Sequence, residues 1–464
     1  MAKWNLIQRS LVLSSFGRLD AEYYHPTNLQ AYTKVVNHNH TFVRDIAKEG
    51  YRVVYENTKL IPQTLATLDM PLFVQATNIN AADGEIEFAS CGCTVASDWD
   101  NYPKGRIKRG ELLIEVKGQA EKVTIVPDYA PENALISGSL FKLEVDEQKI
   151  SPWFVYIYFC TKYGRTLRDR VKTNTLIGFV SKPQLYAIPI VVPKANFQAE
   201  IEKMVKDSFL QRRKSRELYS LACSLLSSAL KVNELKFNRP LSYTAKFSEV
   251  MCEGRSDAEF FQVPYMQVQE HLNQIKSVPL SSLVDFVKGV EVGSNAYVEK
   301  GKLFMRVSNL TEHGLKSNAS DKYISEVLYK CLADAFQPKQ GELLLTKDGT
   351  PGICWVIDRS TECIVSGAIV RLLPKKNDVP PEYLALAINS VLCRKQVEQH
   401  ASGALILHWK LPLIKKLRIP LCDKDTMDKI AHLVQESKKQ QYNSESLIAV
   451  AKARVEELIE SVVK

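Results

Sequence analysis

Three residues have the order found in the metal centre of magnesium-dependent nucleases. In such a centre an Asp and a Glu-x-Lys on neighbouring strands hold Mg²⁺ through carboxylate oxygens, and here they would be Asp100, Glu115 and Lys117. The chain provides an internal control, because a second copy of this region, described below, reads Thr-Lys-Asp at residues 346–348. The second copy has no carboxylate equivalent to Glu115. Loop recognition therefore fits both copies, whereas catalysis fits at most one.

Two further motifs resemble catalytic sequences but lack residues that the chemistry needs. His-Asn-His at residues 38–40 matches the letters of an HNH nuclease, yet it lies in a polar linker without the other parts of a metal cradle. Val-Pro-Pro-Glu at residues 379–382 is similar to the Asn/Asp-Pro-Pro-aromatic motif of adenine methyltransferases, with the essential amide replaced by Val379. The sequence has no glycine-rich loop for S-adenosylmethionine and no P-loop for ATP. We expect a binding protein that is not an enzyme, with no metal or cofactor of its own.

The composition is that of a packed globular chain without a membrane anchor. Of the 464 residues, 45% are hydrophobic and 24% are charged, which are ordinary values, and no run of about 18 uncharged apolar residues could span a bilayer. The ten cysteines form no Cys-x-x-Cys pair. We therefore expect free thiols, no zinc and a cytoplasmic location. The net charge of +9 permits a polyanionic partner without requiring one.

The sequence contains an internal duplication. Residues 17–24 and 254–261 are identical at five of eight positions, and the last two positions exchange one aromatic residue for another. Four further pairs of blocks follow in the same order and at a nearly constant interval: residues 73–79 with 304–310, 110–114 with 341–345, 136–140 with 365–369, and 188–190 with 419–421. This interval is far longer than a solenoid repeat, so it indicates duplication of a whole domain.

Each copy combines a β-rich part with a long helix. Short apolar runs bounded by Gly, Pro, Asn and Asp predict strands at residues 112–116, 140–143 and 188–192. Two prolines suit a helix start before residues 382–388. Residues 197–236 and 425–464 contain neither Pro nor Gly, so each stretch is predicted to form one long helix.

Both long helices carry apolar residues at steps of three and four, which is the seam of a coiled coil. Two such seams in one chain can bury each other, and we expect an antiparallel pair with one β-rich part at each end. The alternative is that each helix packs only on its own domain. The predicted seams are Leu218, Ala222, Leu225, Ala229 and Val232 in the first helix, and Ile448, Ala451, Val455, Leu458 and Val462 in the second.

These motifs together resemble the specificity (S) subunits of type I restriction–modification systems, and the resemblance covers nearly the whole chain. The motifs that carry it are residues 18–24 and their second copy, 305–310, 341–352, and 402–404 leading to 419–421. The first copy departs from the family most at residues 115–118, which read Glu-Val-Lys-Gly where the family usually has a Lys/Arg-Asp-Gly loop.

The resemblance implies an α+β fold with an internal pseudo-twofold repeat. Two β-rich target recognition domains, residues 1–194 and 239–422, would be joined by two long antiparallel coiled-coil helices within residues 195–238 and 423–464. Each domain would read half of a bipartite, asymmetric site in double-stranded DNA, and the helices would set the spacer. Two methyltransferase subunits would supply S-adenosylmethionine and methylate adenine at N6. A restriction motor-nuclease subunit would supply ATP- and Mg²⁺-dependent restriction, and no membrane is implied.

Residues that can distinguish base edges are the candidates for DNA contact, since Arg and Lys suit guanine and Asn and Gln suit adenine. For Asn78 and Asn309 the alternative is turn capping, and for Arg306 it is a surface ion pair. The predicted DNA-binding residues are Gln75, Asn78, Lys117, Arg306, Asn309, Lys347, Asp348, His408 and Lys410. We also predict two structural anchors. Each consists of an ion pair and an aromatic residue, and each would fix one domain to the helices. They are Arg18, Asp20 and Tyr23, and Arg255, Asp257 and Phe260.

Three alternatives remain open at this point. The chain could be the specificity subunit of a methylation-only complex or of a related phage-defence system. It could be an Mg²⁺-dependent nuclease that uses Asp100, Glu115 and Lys117. It could also be a scaffold with duplicated ligand domains, which would show no salt-sensitive binding to DNA.

Overall fold

The chain folds into two compact units, each of which takes part of both long helices. In this computed structural model unit 1 contains residues 1–213 and 441–464, and unit 2 contains residues 214–440. Within the described residues, no helix is long and apolar enough to cross a membrane. The structure describes residues 7, 12, 18–56, 58–80, 84–173, 177–238, 240–317, 320–375, 378–403 and 406–461.

Unit 1 is mixed α and β. Both long helices are shared with unit 2 and are described below. The strands are β1 (His40–Phe42), β2 (Ala47–Tyr51), β3 (Leu72–Val74), β4 (Gly92–Cys93), β5 (Leu112–Glu115), β6 (Lys117–Gly118), β7 (Val123–Ile125), β8 (Ala134–Ile136), β9 (Leu140–Val145), β10 (Gly178–Phe179) and β11 (Pro189–Val191). The shorter helices are α1 (Pro26–Val36), α2 (Val43–Ile46), α3 (Asp98–Asn101), α4 (Pro152–Cys160), α5 (Lys162–Val171) and α6 (Lys182–Tyr186).

Unit 2 repeats this order of elements, with additional strands before its central strand. The central helix α7 (Ala195–Ala229) leads into it and the terminal helix α15 (Lys424–Glu460) follows it. Its strands are β12 (Ser277–Pro279), β13 (Val284–Lys288), β14 (Tyr297–Val298), β15 (Lys302–Met305), β16 (Leu310–Thr311), β17 (Gly314–Leu315), β18 (Lys322–Ile324), β19 (Leu343–Thr346), β20 (Asp348–Gly349), β21 (Cys354–Val356), β22 (Cys363–Val365), β23 (Ile369–Pro374), β24 (Leu407–His408) and β25 (Arg418–Pro420). Its helices are α8 (Phe247–Glu253), α9 (Val263–Gln274), α10 (Leu280–Leu283), α11 (Glu326–Phe336), α12 (Pro381–Asn389), α13 (Val391–His400) and α14 (Leu411–Lys416).

The two units share one four-stranded sheet and the parallel pair of a second sheet, which has three strands in unit 1 and four in unit 2. A four-stranded antiparallel sheet has the order β2-β9-β5-β7 in unit 1 and β13-β23-β19-β21 in unit 2. A second sheet pairs β3 with β8 in parallel in unit 1, as it pairs β15 with β22 in unit 2. Every residue of β5 and of β19 is buried, which explains why these central strands read as continuous apolar runs. The duplication inferred from the sequence is therefore present in the fold.

The register of the repeat drifts along the chain because of a bulge and of loop deletions. Strand β2 has an irregularity between Ala47 and Glu49 that β13 lacks. Strand β11 pairs with β1 as β25 pairs with β12, and this makes Val191 the counterpart of Pro420. The match of residues 188–190 with 419–421 is therefore wrong by two positions.

A buried ion pair recurs at the same place in both four-stranded sheets. In unit 1, Lys142 Nζ lies 3.3 Å from a carboxylate oxygen of Glu111. In unit 2, Arg371 donates to both carboxylate oxygens of Glu342, at 2.7 and 2.8 Å. Burial raises the pKa of the Glu111 carboxyl, although Lys142 opposes the effect. The Arg371 guanidinium donates two hydrogen bonds to its carboxylate, which compensates the cost of desolvation better than the single contact of the Lys142 ammonium. The ion pair of unit 2 is therefore the better compensated of the two.

The two long helices are antiparallel in each unit, as the sequence predicted. In unit 1, Ser208 Oγ of α7 lies 2.8 Å from Ser444 Oγ of α15. Also in unit 1, Arg454 forms an ion pair with Glu200, so residue numbers rise along one helix as they fall along the other. In unit 2, Ser215 Oγ lies 3.1 Å from Ser437 Oγ. All four serines are buried. Ser208 and Ser437 correspond in the repeat, as do Ser215 and Ser444, so the internal symmetry extends from the sheets to the helices.

The seam was predicted well for α15 and less well for α7. Ile448, Ala451 and Val455 are buried as expected. Leu458 is half-buried and its neighbour Ile459 is buried instead, and Val462 lies outside the described residues. Ala229 is exposed, and α7 ends there, before Val232. Two serines and an arginine occupy buried seam positions of α7, which hides its apolar periodicity. The buried positions of α7 are Ile201, Val205, Ser208, Arg212, Ser215, Ala222 and Leu226, with Phe209 beside them.

The helices also belong to the cores of the units. In unit 1 the largest core cluster contains Ile201 and Val205 of α7 together with Val455 of α15. In unit 2 the corresponding cluster contains Leu226 of α7 and Ile430 of α15. Each helix thus packs on its partner helix, as the sequence predicts, and also on the cores of the units.

Candidate nucleic-acid interface

Each unit presents a short two-stranded ribbon next to the end of its central strand. In unit 1, β6 pairs with β10, and Lys117 lies opposite Phe179. In unit 2, β20 pairs with β24, and Asp348 lies opposite His408. We name these pairs ribbon 1 and ribbon 2. They occupy equivalent places in the repeat and carry different side chains.

The loop that leaves each central strand is closed by the last residue of that strand. In unit 1, Glu115 Oε2 accepts hydrogen bonds from the backbone N–H groups of Glu121 and Lys122, at 3.0 and 3.1 Å. In unit 2, the Thr346 hydroxyl accepts from the N–H of Ile353 at 2.9 Å and donates to the carbonyl of Thr350 at 2.6 Å. A carboxylate in one unit and a hydroxyl in the other therefore perform the same task of shaping the loop.

Ribbon 1 combines an exposed cation with a stacked cation. The Lys117 side chain is exposed. Beside it, the guanidinium carbon of Arg52 lies 5.2 Å from the centroid of the Phe179 ring, a cation–π distance. Arg52 Nε donates to the carbonyl oxygen of Gly138 at 2.7 Å. Gly118, at φ +113°, takes a backbone conformation that a side chain would strain.

Ribbon 2 carries both signs of charge. Lys347 Nζ forms an ion pair with Asp348, and His408 Nδ1 lies 2.8 Å from the other carboxylate oxygen of Asp348. His408 and Lys410 are exposed. Between them the buried Trp409 donates its backbone N–H to the carbonyl of Lys347 at 2.8 Å, which fixes the ribbon to the core. The structure thus brings together three of the predicted residues, with Lys410 two positions along the chain.

The two predicted asparagines are buried and cap turns. Asn78 Oδ1 accepts the N–H of Gln75 at 2.9 Å, and its amide donates to the carbonyl of Ser90 at 3.0 Å. Asn309 Oδ1 accepts the N–H of Arg306 at 2.9 Å in the same way. This is the turn-capping alternative, and amides already occupied inside the protein are poor candidates for base contact. A base contact by either residue stays a prediction that this geometry disfavours.

Gln75 and Arg306 begin these turns and are partly exposed. In unit 1, Lys122 Nζ donates to the carbonyl of Ala76 at 2.7 Å, so the turn lies against the loop of ribbon 1. Arg306 Nη2 donates to the carbonyl of Ser320 at 2.5 Å, which is a backbone contact and not the ion pair considered as its alternative. Both residues stay predictions for DNA contact.

The residues of the nuclease pattern have separate contacts. Asp100 Oδ1 lies 3.1 Å from Arg106 Nη2, at the surface, whereas Glu115 is buried and closes the loop. Over the described part of the chain, no group of three or more His, Cys, Asp or Glu residues is placed to hold a metal ion. In the His-Asn-His motif at residues 38–40, His38 makes a structural contact: its Nε2 lies 2.9 Å from the carbonyl oxygen of Ile459.

Arg18 fastens the N-terminal segment of unit 1 to the end of α5. Its Nε and Nη2 donate to the carboxylate of Asp20 at 2.8 and 2.6 Å, and its Nη1 donates to the carbonyl of Val171 at 3.0 Å. The hydrogen bond from Arg18 holds the pKa of the Asp20 carboxyl below its ordinary value. The Tyr23 ring meets two cations, with the guanidinium carbons of Arg18 and Arg170 4.5 and 4.0 Å from its centroid.

The second copy of this segment meets the end of α13. Arg255 makes the same fork to Asp257, at 2.8 and 2.6 Å, and stacks 4.6 Å from the centroid of Phe260. Phe260 packs edge-on against His400, and its carbonyl accepts from Gln399 Nε2 at 3.0 Å. Each segment thus has a hydrogen bond to the C-terminal end of a helix in the same unit, whereas the sequence predicts contact with the long helices.

Sequence reasoning missed Arg52 and Phe179. Neither belongs to a repeated block, and Arg52 comes just after the bulge that shifts the repeat. Phe179 could have been found, because it precedes His408 by the same interval that separates the matched blocks 136–140 and 365–369.

No protein-family model matches the sequence, and no curated protein matches it. Solved structures do. The S subunit of a type I restriction–modification system from M. genitalium is 12% identical and covers 92% of this chain and 97% of its own, with a TM-score of 0.42. The HsdS subunit from Thermoanaerobacter tengcongensis is 12% identical with the same coverage and a TM-score of 0.29. A structure of the assembly of a type I R-M system is 13% identical, covers 91% and 95%, and has a TM-score of 0.28.

The first two of these structures are S subunits, the family whose motifs the sequence resembles. At 12–13% identity and TM-scores below 0.5, the likeness by itself assigns no function to this chain. The functional assignment below rests on the duplicated fold and its ribbons.

Proposed function

We propose that this chain is the DNA-recognition subunit of a type I restriction–modification system. It reads a bipartite, asymmetric site in double-stranded DNA and directs adenine-N6 methylation, and restriction, by partner subunits. The observation that carries the proposal is the pair of ribbons, which stand at the same place on two copies of one scaffold and differ in their exposed side chains.

The ribbons have the size and chemistry for a DNA groove. The major groove of B-DNA is about 12 Å wide and admits a two-stranded ribbon. Lys117 in ribbon 1, and His408 with Lys410 just beyond it in ribbon 2, supply exposed donors for phosphates or base edges. Because the two ribbons carry different residues, the half-sites that they read differ in sequence, and the whole site is asymmetric.

The helices support the proposed partners. The exposed Leu221 of α7 and the exposed Val450 of α15 correspond in the repeat, as the serine pairs do, and their exposed fractions are 55% and 44%. Equivalent surfaces on one chain bind identical partners, which here would be two methyltransferase subunits. In this proposal those subunits bind S-adenosylmethionine, a restriction subunit binds ATP and Mg²⁺, and this chain binds no cofactor and is not an enzyme.

The decisive experiment is co-expression with a type I methyltransferase subunit from the same organism, followed by mapping of N6-methyladenine in the host DNA. We expect a stable complex and a methylated motif of two defined parts separated by an unread spacer. A complex that methylates a continuous motif would contradict the bipartite reading. The absence of both complex and methylation would contradict the function itself.

The helices are proposed to act as the spacer between the half-sites. Deletion of one heptad from α7 and one from α15 keeps the seam in phase. We expect the variant complex to methylate a motif with a shorter spacer and unchanged half-sites. An unchanged spacer would contradict this part of the proposal alone.

The alternatives give different results in the same assays. A nuclease would cleave DNA with Mg²⁺ as the purified chain, and Glu115→Gln would abolish that cleavage. A scaffold with duplicated ligand domains would show no DNA binding that falls with salt. A methylation-only or related phage-defence system would give the same motif without restriction of unmodified DNA.

A further inference from the structure

Arg52 is held in a fixed orientation at ribbon 1. It follows β2, and its guanidinium lies 5.2 Å from the centroid of Phe179 while its Nε donates to the carbonyl of Gly138 at 2.7 Å. The contact with the ring limits where the guanidinium can lie, and the hydrogen bond from Nε limits how it can rotate. The protein itself therefore sets the direction in which the rest of the group points.

The two terminal nitrogens of Arg52 are left for a ligand. Among the described residues, neither Nη1 nor Nη2 has a hydrogen-bond or ion-pair partner, and the side chain is partly exposed. These two nitrogens carry N–H groups directed to the same side of the planar group. They can therefore donate to two acceptors that lie next to each other in one plane.

Guanine presents two such acceptors, O6 and N7, on its major-groove edge, and a bidentate Arg is the commonest specific contact to it. A phosphate also accepts a fork, but phosphate contact needs no fixed plane, and the flexible ammonium of Lys117 on the same ribbon can make it. The double constraint on Arg52 favours the planar base edge.

Unit 2 lacks this arrangement. Strand β2 pairs with β9 as strand β13 pairs with β23, and in this alignment the residue that corresponds to Arg52 is Lys288. Lys288 is exposed and stacks on no aromatic ring of the described residues. The ring that corresponds to Phe179 is His408, which is bonded to Asp348.

We propose that Arg52 reads a guanine in the half-site recognised by unit 1. Phe179 and the carbonyl of Gly138 position its guanidinium, and unit 2 makes no equivalent contact. This inference rests on the proposed function and names one base of the site.

The test uses the full-length chain in complex with its methyltransferase and a library of randomised DNA duplexes, from which bound sequences are selected and read. The wild-type complex should enrich a motif with an invariant guanine in one half-site. Arg52→Lys keeps the charge but loses the fork, and Arg52→Ala loses both. Both variants should relax that one position and leave the rest of the motif unchanged.

A matched control is Arg44→Ala. Arg44 is also in unit 1 and also lies over a phenylalanine, 4.3 Å from the centroid of Phe42, but it is near Asp45 and away from the ribbon. The substitution removes the same charge, and the variant should enrich the wild-type motif at every position.

The second measurement needs no variant to fold. In the selected duplex each guanine is replaced in turn by 7-deazaguanine, which lacks the N7 acceptor. One replacement should weaken binding of the wild-type complex about two- to twelve-fold, as expected for loss of one of the two hydrogen bonds of a bidentate contact. The same replacement should have little further effect on binding of the Arg52→Ala complex.

The outcomes separate the two proposals. If the wild-type complex enriches no sequence, the proposed function fails. If it enriches a motif that Arg52→Ala and Arg52→Lys also enrich at every position, the guanine assignment fails while the function stands. If the variants only weaken binding equally to all sequences, Arg52 contacts a phosphate and the assignment is likewise overturned.

Discussion

Ribbon 1 and ribbon 2 stand on the same scaffold and differ at nearly every exposed position. Lys117 and Phe179 in the first correspond to Asp348 and His408 in the second. By contrast, the buried features beneath them recur: the four-stranded sheet, the buried ion pair and the serine pair between the helices. The duplicated chain has thus kept what holds each unit together and changed what each unit shows to a ligand.

The difference is also one of charge. Near ribbon 1 the turn at Gly138 accepts a hydrogen bond from a cation, Arg52. At the corresponding turn of unit 2, the Cβ that Gly367 lacks would collide with Glu291 Oε1, so a carboxylate occupies this place. Two units with opposite charges at equivalent turns are suited to different base edges. The following predictions test how far the scaffold is equivalent and how far the ribbons are not.

The largest effect is expected from breaking the buried ion pair. Arg371→Met leaves the Glu342 carboxylate buried without the two hydrogen bonds from Arg371, and should lower the free energy of unfolding of unit 2 by about 3–5 kcal/mol. Lys142→Met in unit 1 should have a smaller effect, because its pair has a single, longer contact. Urea denaturation followed by hydrogen exchange assigns each loss to its unit. Equal losses would contradict the ranking of the two pairs.

The loop closures should rank next. Glu115→Ala removes an acceptor of two backbone N–H groups and should destabilise unit 1 by about 2–3 kcal/mol, whereas Thr346→Ala should destabilise unit 2 by about 1 kcal/mol. Glu115→Gln keeps an acceptor and is the matched control. The measurement is the exchange rate of the loop amides. Unchanged exchange in Glu115→Ala would show that the carboxylate does not close the loop.

The serine pairs should give equal effects in the two units. Ser208→Ala and Ser437→Ala remove corresponding hydroxyls, and each should lower the free energy of unfolding by about 1 kcal/mol. The two values should agree within about 0.5 kcal/mol, as judged by urea midpoints. A clear inequality would show that the repeat does not extend to the energetics of the helix pair.

The ribbons should respond to loss of charge in opposite directions. Lys117→Ala removes an exposed cation, and should weaken binding to mixed-sequence duplexes and reduce the slope of log K against log salt by about 1. Asp348→Ala releases Lys347 from its ion pair, and should strengthen that binding and steepen the slope. Fluorescence anisotropy titrations at several salt concentrations measure both. Slopes that move in the same direction would contradict the contrast.

The smallest expected effect is a loss of stability of unit 2 at acidic pH. Burial lowers the pKa of His400, with Glu253 opposing this shift and Arg255 and Lys416 adding to it. Because the folded unit favours the neutral ring, the stability that it contributes is present above the ordinary pKa and is lost as the pH falls through the lowered value. The counterpart of His400 in unit 1 is Val171, which does not titrate.

On acidification from about pH 7 to pH 5, exchange should therefore rise at residues 255–261 more than at residues 18–24, after correction for the intrinsic rate. His400→Val should remove the difference. Equal behaviour of the two segments in the wild-type chain would show that this histidine does not couple unit 2 to acid.

The sequence predicted the duplication, the two long helices and their antiparallel pairing. Each of these depends on patterns that repeat many times, such as blocks matched at a nearly constant interval or long stretches without Pro or Gly. It misjudged the seam of α7, because buried serines and Arg212 interrupt the apolar period that a sequence reveals. Pairing across the chain, such as Ser208 with Ser444, has no local signal at all.

The candidate site was predicted in part. Lys347, Asp348 and His408 were identified, and the structure joins them by an ion pair and a hydrogen bond. Asn78 was a candidate by residue type alone, and residue type cannot tell an amide that caps a turn from one that faces a ligand. Arg52 was missed because its role comes from the ring of Phe179, which is distant in the sequence and which only the fold brings near.

The serine pairs have a further consequence, which concerns wrong alignments of the two helices. Because the serines are one heptad apart on each helix, a slide of one heptad would still set Ser215 opposite Ser444. It would also place Ser208 and Ser437 against alanines, at Ala451 and Ala222. Each of these two buried hydroxyls now donates to a main-chain carbonyl and faces a second hydroxyl. After the slide it would keep a main-chain acceptor but lose the facing hydroxyl, at about 1 kcal/mol each, while a seam of leucines would tolerate the slide. The polar layers thus favour the correct alignment of the helices over the misaligned one.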